Sequence, residues 1–184
     1  GSGGEGEEKV AQSGVAQGRL IKDAGRRFGS GQHQPAPSLI SGVRQPMQRI
    51  SIHQDFAISV ENLFAHLSEH ENLEAIFHPT RIRRIADGQG ARNGVGSARE
   101  MRALGGPSFV ETVTAYRENE LIEYRITRGS PLKNHLGVMR FSSTPTGSHL
   151  HYTIQFEGKL PLIGPLIRLV LERGIRKGLA GIRA

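Results

Sequence analysis

The chain has 184 residues, no cysteine, and a formal net charge of +7 from 24 Lys and Arg against 17 Asp and Glu. That length holds one domain of ordinary size, or a smaller one with a long tail, and the lack of cysteine excludes a disulfide scaffold, thiolate metal sites and a cysteine nucleophile. No run of about 18 apolar residues offers a membrane-spanning helix, and with no cysteine in the chain cytoplasmic residence is the default expectation.

Residues 1–46 hold 10 of the 24 glycines and only 12 residues of apolar type. Such a segment buries too little to offset its ordering entropy and is predicted to be disordered. Its opening, Gly1-Ser2-Gly3-Gly4-Glu5-Gly6-Glu7-Glu8, reads as a linker or cloning scar, with Met47 the native start; a genuine tail is the alternative. Glu5, Glu7, Glu8 and Asp23 argue against an organelle transit peptide. The arginines are scattered, no basic run is interleaved with aromatics, and three tyrosines and seven phenylalanines supply few base-stacking platforms. A nucleic-acid partner is therefore disfavoured.

From Arg49 to Phe56 the chain alternates with period two, placing Ile50, Ile52 and Phe56 on one face of a half-buried strand. A helix follows Ser59, its N-cap, with Val60, Leu63, Phe64 and Leu67 at helical spacing. Ser68-Glu69-His70-Glu71 has the form of a capping box opening a second short helix, which Leu73, Ile76 and Phe77 make amphipathic and Pro79 stops. From Arg81 to Lys159 strands alternate with turn chemistry at Gly88-Gln89-Gly90, Asn93-Gly94, Gly105-Gly106-Pro107, Glu118-Asn119, Gly129-Ser130-Pro131 and Pro145-Thr146-Gly147. This predicts a six-strand meander in which Asn93-Gly94 is either a turn or part of a long loop. Pro161 to Arg183 reads as one long helix whose broad apolar face carries Leu162, Ile163, Leu166, Ile167, Val170, Leu171, Ile175, Leu179 and Ile182.

The order is thus strand, two short helices, six strands, long helix. Glu111-Thr112-Val113-Thr114-Ala115-Tyr116 followed by Leu121-Ile122-Glu123-Tyr124-Arg125-Ile126 resembles the paired strands of the polyketide cyclase/dehydrase and lipid-transport superfamily (SRPBCC, START-like). The segment from Thr144 to Gly158 is similar to that superfamily's final strand, and Ile175-Arg176-Lys177-Gly178-Leu179 to its C-terminal helix. The resemblance spans residues 47–184. It implies an α+β helix-grip fold: a curved seven-stranded antiparallel sheet, two short helices after the first strand, and a long C-terminal helix across the concave face. The family helix commonly continues past the position of Arg183, so a truncated or naturally short end is expected.

Hairpin registers then assign faces. A two-residue Glu118-Asn119 turn sets Arg117 against Glu120, Ala115 against Ile122, Val113 against Tyr124 and Glu111 against Ile126, putting Phe109, Glu111, Val113, Ala115, Ile122, Tyr124 and Ile126 inside. A Thr144 to Gly147 loop sets Phe141 against Leu150, Met139 against Tyr152, Gly137 against Ile154 and His135 against Phe156. Val95, Ser97, Arg99 and Met101 share one side of their own strand. Gly174, Gly178 and Gly181 fall on the apolar side of the last helix, where small residues either leave room for a cavity or allow close packing on the sheet.

These faces define a candidate ligand cavity of Arg99, Met101, Phe109, Glu111, Val113, Tyr124, Ile126, His135, Met139, Phe141, Tyr152, Ile154, Val170, Gly174 and Gly178. Glu111, Tyr124 and His135 are its candidate acid–base groups, with Arg99 the partner that a buried Glu111 requires. His135 is a candidate general base, against a purely structural role. His149 and His151 share one face at strand spacing, but without a third ligand nearby they are expected on a solvated surface and no metal site is assigned.

What the resemblance and the apolar concave face imply first is a binding protein for a small hydrophobic ligand such as a lipid, an isoprenoid or an aromatic polyketide, with no cofactor required. The second reading is a cyclase or dehydratase working through Glu111, Tyr124 or His135. The third is a module touching a membrane peripherally, or a macromolecule, through its basic surface or the apolar Leu160 to Leu171 segment, for which burial against the sheet is the competing expectation. A monomer is favoured.

Overall fold

A computed structural model describes residues 45–103 and 105–183; the expectation for the leader falls almost wholly outside them. The elements are β1 (Gln48–Phe56), α1 (Val60–Ser68), a 3-10 turn (His70–Asn72), α2 (Leu73–Ile76), β2 (Arg81–Ala86), β3 (Ala98–Arg102), β4 (Ser108–Arg117), β5 (Leu121–Arg128), β6 (Leu132–Thr144), β7 (Gly147–Gly158) and α3 (Ile163–Ala180). The seven strands form one antiparallel sheet in the order β1-β7-β6-β5-β4-β3-β2, so β2 to β7 are the expected meander and β1 closes on β7. The Asn93-Gly94 region belongs to a long loop joining β2 to β3.

Alternation decides which face of each strand is dry. Ile50, Ile52, Val113, Tyr124, Met139, Phe141, Tyr152, Ile154 and Phe156 are buried together with Leu63, Phe64 and Leu67 of α1 and Leu73 and Ile76 of α2. Ser59 caps α1 as expected, its Oγ accepting the Asn62 amide at 3.3 Å. The capping box at Ser68 does not form. Ser68 is still helical and its hydroxyl donates back to the Ala65 carbonyl at 3.2 Å. Glu71 is recruited instead by Arg84, whose Nε lies 3.2 Å from it, and Glu69 by Arg84 and Arg92.

The β4–β5 hairpin differs at its tip. Arg117 pairs with Leu121, Tyr116 with Ile122 and Ala115 with Glu123, because Asn119 takes a left-handed φ of 61° and lengthens the turn to three residues. A bulge between Val113 and Ala115 removes the offset, so Val113 still faces Tyr124 and Glu111 still faces Ile126. It is therefore Tyr116, packed edge-on to Phe64 at 5.3 Å, that turns toward the core near the tip. The β6–β7 register agrees from Phe141–Leu150 to Gly137–Ile154 and shifts between Leu136 and Lys133. Val95 is exposed in the loop, while Ser97, Arg99 and Met101 are buried.

The long helix departs furthest from its sequence pattern. Of its apolar face only Ile175 and Leu179 are fully buried, and Leu162, Leu166 and Val170 are 81%, 63% and 63% exposed. The helix packs against α2, β1 and β7, with Gly164 near its start close to Gln48 and Gly158 and Gly178 near its end close to Ile76, while the stretch from Leu166 to Gly174 between them roofs open space above the sheet.

Candidate functional site

That open space is a cavity of about 460 Å³. Its floor comes from β3 to β7 through Met101, Phe109, Ile126, Leu132 and Ile154, and its roof from α3 through Leu166, Ile167, Val170, Leu171, Gly174 and Ile175. Phe77, Pro79 and Pro107 complete the rim. The polar groups Glu111, Tyr124 and His135 stand on the same wall. A larger groove of about 740 Å³ runs between α1, α2 and the end of α3, but no strand residue lines it, so it lacks the sheet-backed enclosure of the smaller cavity.

Nine of the fifteen sequence-selected residues line this cavity: Met101, Phe109, Glu111, Tyr124, Ile126, His135, Ile154, Val170 and Gly174. Val113, Met139, Phe141 and Tyr152 lie instead in the solid core, because α1 and α2 fill that half of the concave face; Phe64 meets Phe141 edge-on at 5.0 Å. Gly178 is a close-packing residue, since a Cβ there would come within 2.5 Å of the Ile76 Cα, whereas a Cβ on Gly174 would meet nothing within 4 Å. Arg99 sits behind the wall. The rim residues from α2, from Pro107 and from the Pro131 turn were not selected, because turn chemistry marks where a chain reverses but not what the reversal encloses.

The polar cluster is built from adjacent strands. Arg99 and Glu111 face each other across β3 and β4 and are 2% and 5% exposed. Arg99 Nε donates to Glu111 Oε2 at 2.9 Å, and its Nη2 lies 2.7 Å from the same oxygen but is not aligned to donate to it. The guanidinium also lies over the Tyr124 ring, 4.7 Å from its centroid, a cation–π contact in a desolvated place. The Tyr124 hydroxyl is hydrogen-bonded to that of Tyr152. Burial raises the pKa of both phenols, Tyr124 strongly, so both stay protonated and one donates to the other. Gly137 makes room for the Tyr124 ring, whose Cζ would collide with any Cβ there.

His135 Nδ1 accepts the Ile126 backbone amide at 3.2 Å, which leaves Nε2 pointing toward Glu111 Oε1 at 4.0 Å. Burial lowers its pKa, with the Glu111 carboxylate opposing that shift and Arg99 reinforcing it. An amide N–H can only donate, so the proton of the neutral ring is on Nε2. In this tautomer His135 is a donor, and the base on the wall is Glu111.

The outer face of the sheet holds a second histidine group that strand spacing only half revealed. His53 on β1 stacks on His151 with ring centroids 3.9 Å apart, its Nδ1 is 3.2 Å from His149 Nε2, and His149 Nδ1 is 2.6 Å from Asp55. Among the described residues no group of three or more such side chains is arranged to hold a metal ion.

A curved antiparallel sheet with two short helices after its first strand and a long C-terminal helix over its concave face defines the START-like, helix-grip class. The chain belongs to the family described as polyketide cyclase / dehydrase and lipid transport, whose model matches residues 47–184. A search of curated proteins finds no match. Among solved structures, a START superfamily protein from Mycobacterium smegmatis is 18% identical with a TM-score of 0.58, covering 73% of this chain and 94% of that one. The Zhui aromatase/cyclase from a Streptomyces species is 16% identical with a TM-score of 0.56, over 73% of this chain and 88% of that one. The di-domain ARO/CYC StfQ from the steffimycin biosynthetic pathway gives 16% and 0.59, with 73% of this chain covering 49% of that one. At these identities the likeness establishes the fold alone.

Proposed function

We propose that this chain binds a small, largely apolar molecule with one polar end, such as an isoprenoid, a lipid or an aromatic polyketide, in the cavity between the sheet and α3. The observation that carries the reading is a cavity of about 460 Å³ whose lining is mostly apolar, with Glu111, Tyr124 and His135 together on the sheet side and His78, Thr80 and Ser130 as its other polar residues. No cofactor is needed. Native mass spectrometry of protein purified from its own host tests it: the expected spectrum holds a small molecule in 1:1 ratio that an organic wash removes, and protein repeatedly recovered empty counts against the reading.

A second reading, catalysis, is favoured by one feature. Glu111 Oε1 and His135 Nε2 lie 4.0 Å apart on residues that line the cavity, a base beside a hydrogen-bond donor. An enzyme of the cyclase or dehydratase type needs little more than a confined chain and one proton acceptor. On an identified substrate, Glu111→Gln should lower turnover about 100-fold or more while leaving binding within a few-fold; full turnover in that variant would exclude this chemistry.

The exposed Leu166 and Val170 beside the cavity, with Leu162 exposed at the start of α3, also support delivery from a membrane surface, with Lys159, Arg168 and Arg173 close by in sequence. Co-sedimentation with anionic vesicles at low salt, lost in Leu166→Glu, is the expected result, and no sedimentation of the parent chain would end it.

A further inference from the structure

On the sheet side of the cavity two buried side chains, His135 and Glu111, each keep one polar atom with no hydrogen-bond partner among the described residues. The first is His135 Nε2. With Nδ1 occupied by the Ile126 amide, Nε2 carries a proton and donates whether the ring is neutral or charged. The second is Glu111 Oε1, which accepts only, because Oε2 is the oxygen held by Arg99. The two atoms are 4.0 Å apart, beyond hydrogen-bond range of each other, and both side chains line the cavity. An atom about 2.8 Å from each closes a shallow triangle between them.

Whatever fills that position must accept from Nε2–H and donate to a carboxylate oxygen. A hydroxyl does both. A carbonyl oxygen accepts but has nothing to donate, and a carboxylate or phosphate sets its own charge against Glu111. Arg99 does not rescue an anion, since its charge is committed to Glu111 and it is absent from the cavity wall. The Tyr124 hydroxyl is paired with that of Tyr152 and makes no hydrogen bond to Glu111 or His135.

We propose that the cavity selects apolar ligands whose polar end is a hydroxyl, a phenol, enol or alcohol, and discriminates against the carboxylic acid and the bare hydrocarbon of the same framework. This rests on the cavity being the ligand site, and the test separates the two claims. Competition against the neutral fluorescent probe N-phenyl-1-naphthylamine is measured near pH 7 for 2-naphthol, 2-naphthoate and naphthalene. The hydroxyl compound is expected to displace the probe about 10-fold or more tightly than either of the others. In His135→Leu, which removes the donor, that preference should shrink to within about 3-fold. If 2-naphthoate or naphthalene matches 2-naphthol on the parent chain, hydroxyl selection is wrong while the cavity reading stands. If the probe itself fails to bind, both fall. The parent-chain comparison decides the matter even where His135→Leu does not fold.

Discussion

Arg99 and Glu111 show how one side chain's burial dictates its neighbour. A carboxylate on the inward face of β4 is tolerable only with a cation beside it, and Arg99 is opposite it across the β3–β4 pair. Removing one partner leaves an uncompensated buried charge, so Arg99→Leu should cost about 3–5 kcal/mol in urea denaturation. The double variant Arg99→Leu with Glu111→Leu should recover most of that loss. Equal destabilisation in single and double variants would show that the pair matters through packing, not charge. Much of this cluster was legible beforehand. Period-two alternation put Glu111, Tyr124 and Arg99 on one face, and polarity made Glu111 and Arg99 partners. The tautomer of His135 was not legible, because it depends on the irregular stretch between Lys133 and Leu136 that aims Nδ1 at the Ile126 amide.

Among elements, α3 carries the largest difference between pattern and packing. Its apolar stripe fits a helix laid flat on a sheet, yet α1 and α2 occupy part of the concave face, and α3 is held close near Gly164 and near Gly178 while its middle stands over the cavity. Gly174 and Gly178, alike in a helical projection, therefore do different things, and Gly181 is the C-cap that ends the helix. Gly178→Ala drives a Cβ into the Ile76 backbone and should lower stability by about 1–3 kcal/mol. Gly174→Ala meets only open space and should gain about 1 kcal/mol from helix propensity. Thermal melts of the two variants moving in the same direction would contradict this division. The strand order and most of the register were readable because turn residues and alternation are local signals. The bulge in β4 was not: a three-residue turn and an extra residue cancel, so the inner pairs agree with a two-residue turn that does not exist. The cavity's extent depends on contacts between distant elements, and for that reason Met139, Phe141 and Tyr152 look like wall in sequence and are core in the fold.

For the molecule as a whole, buried neutral histidines couple folding to pH. His70 is buried between the sheet and the first helices, its Nδ1 is unpartnered, and its Nε2 lies 3.4 Å from Ser97 Oγ. Burial, reinforced by Arg99 and Arg84, lowers its pKa to about 3. Because the folded pKa lies below the ordinary value of 6.5, the unfolded chain binds more protons between those values, and stability falls as pH drops below about 6.5. Between pH 7 and 5.5, above most carboxylate titration, the loss from His70 should be roughly 1 kcal/mol. His135 is shifted in the same direction and adds to it. Urea midpoints for His70→Asn should fall less over that interval than those of the parent chain; an unchanged pH dependence would mean that His70 is not the coupled group.

The central claim is that the space between the sheet and α3 receives an apolar ligand. Ile126 is half-buried on the cavity floor, so Ile126→Trp places an indole where the ligand would lie, while Leu162→Glu alters only the exposed start of α3. Titration with N-phenyl-1-naphthylamine should give saturable 1:1 binding in the parent chain and in Leu162→Glu, and binding at least about 10-fold weaker in Ile126→Trp. Binding that survives in Ile126→Trp but is lost in Leu162→Glu would place the ligand on the outside of α3 and contradict the account.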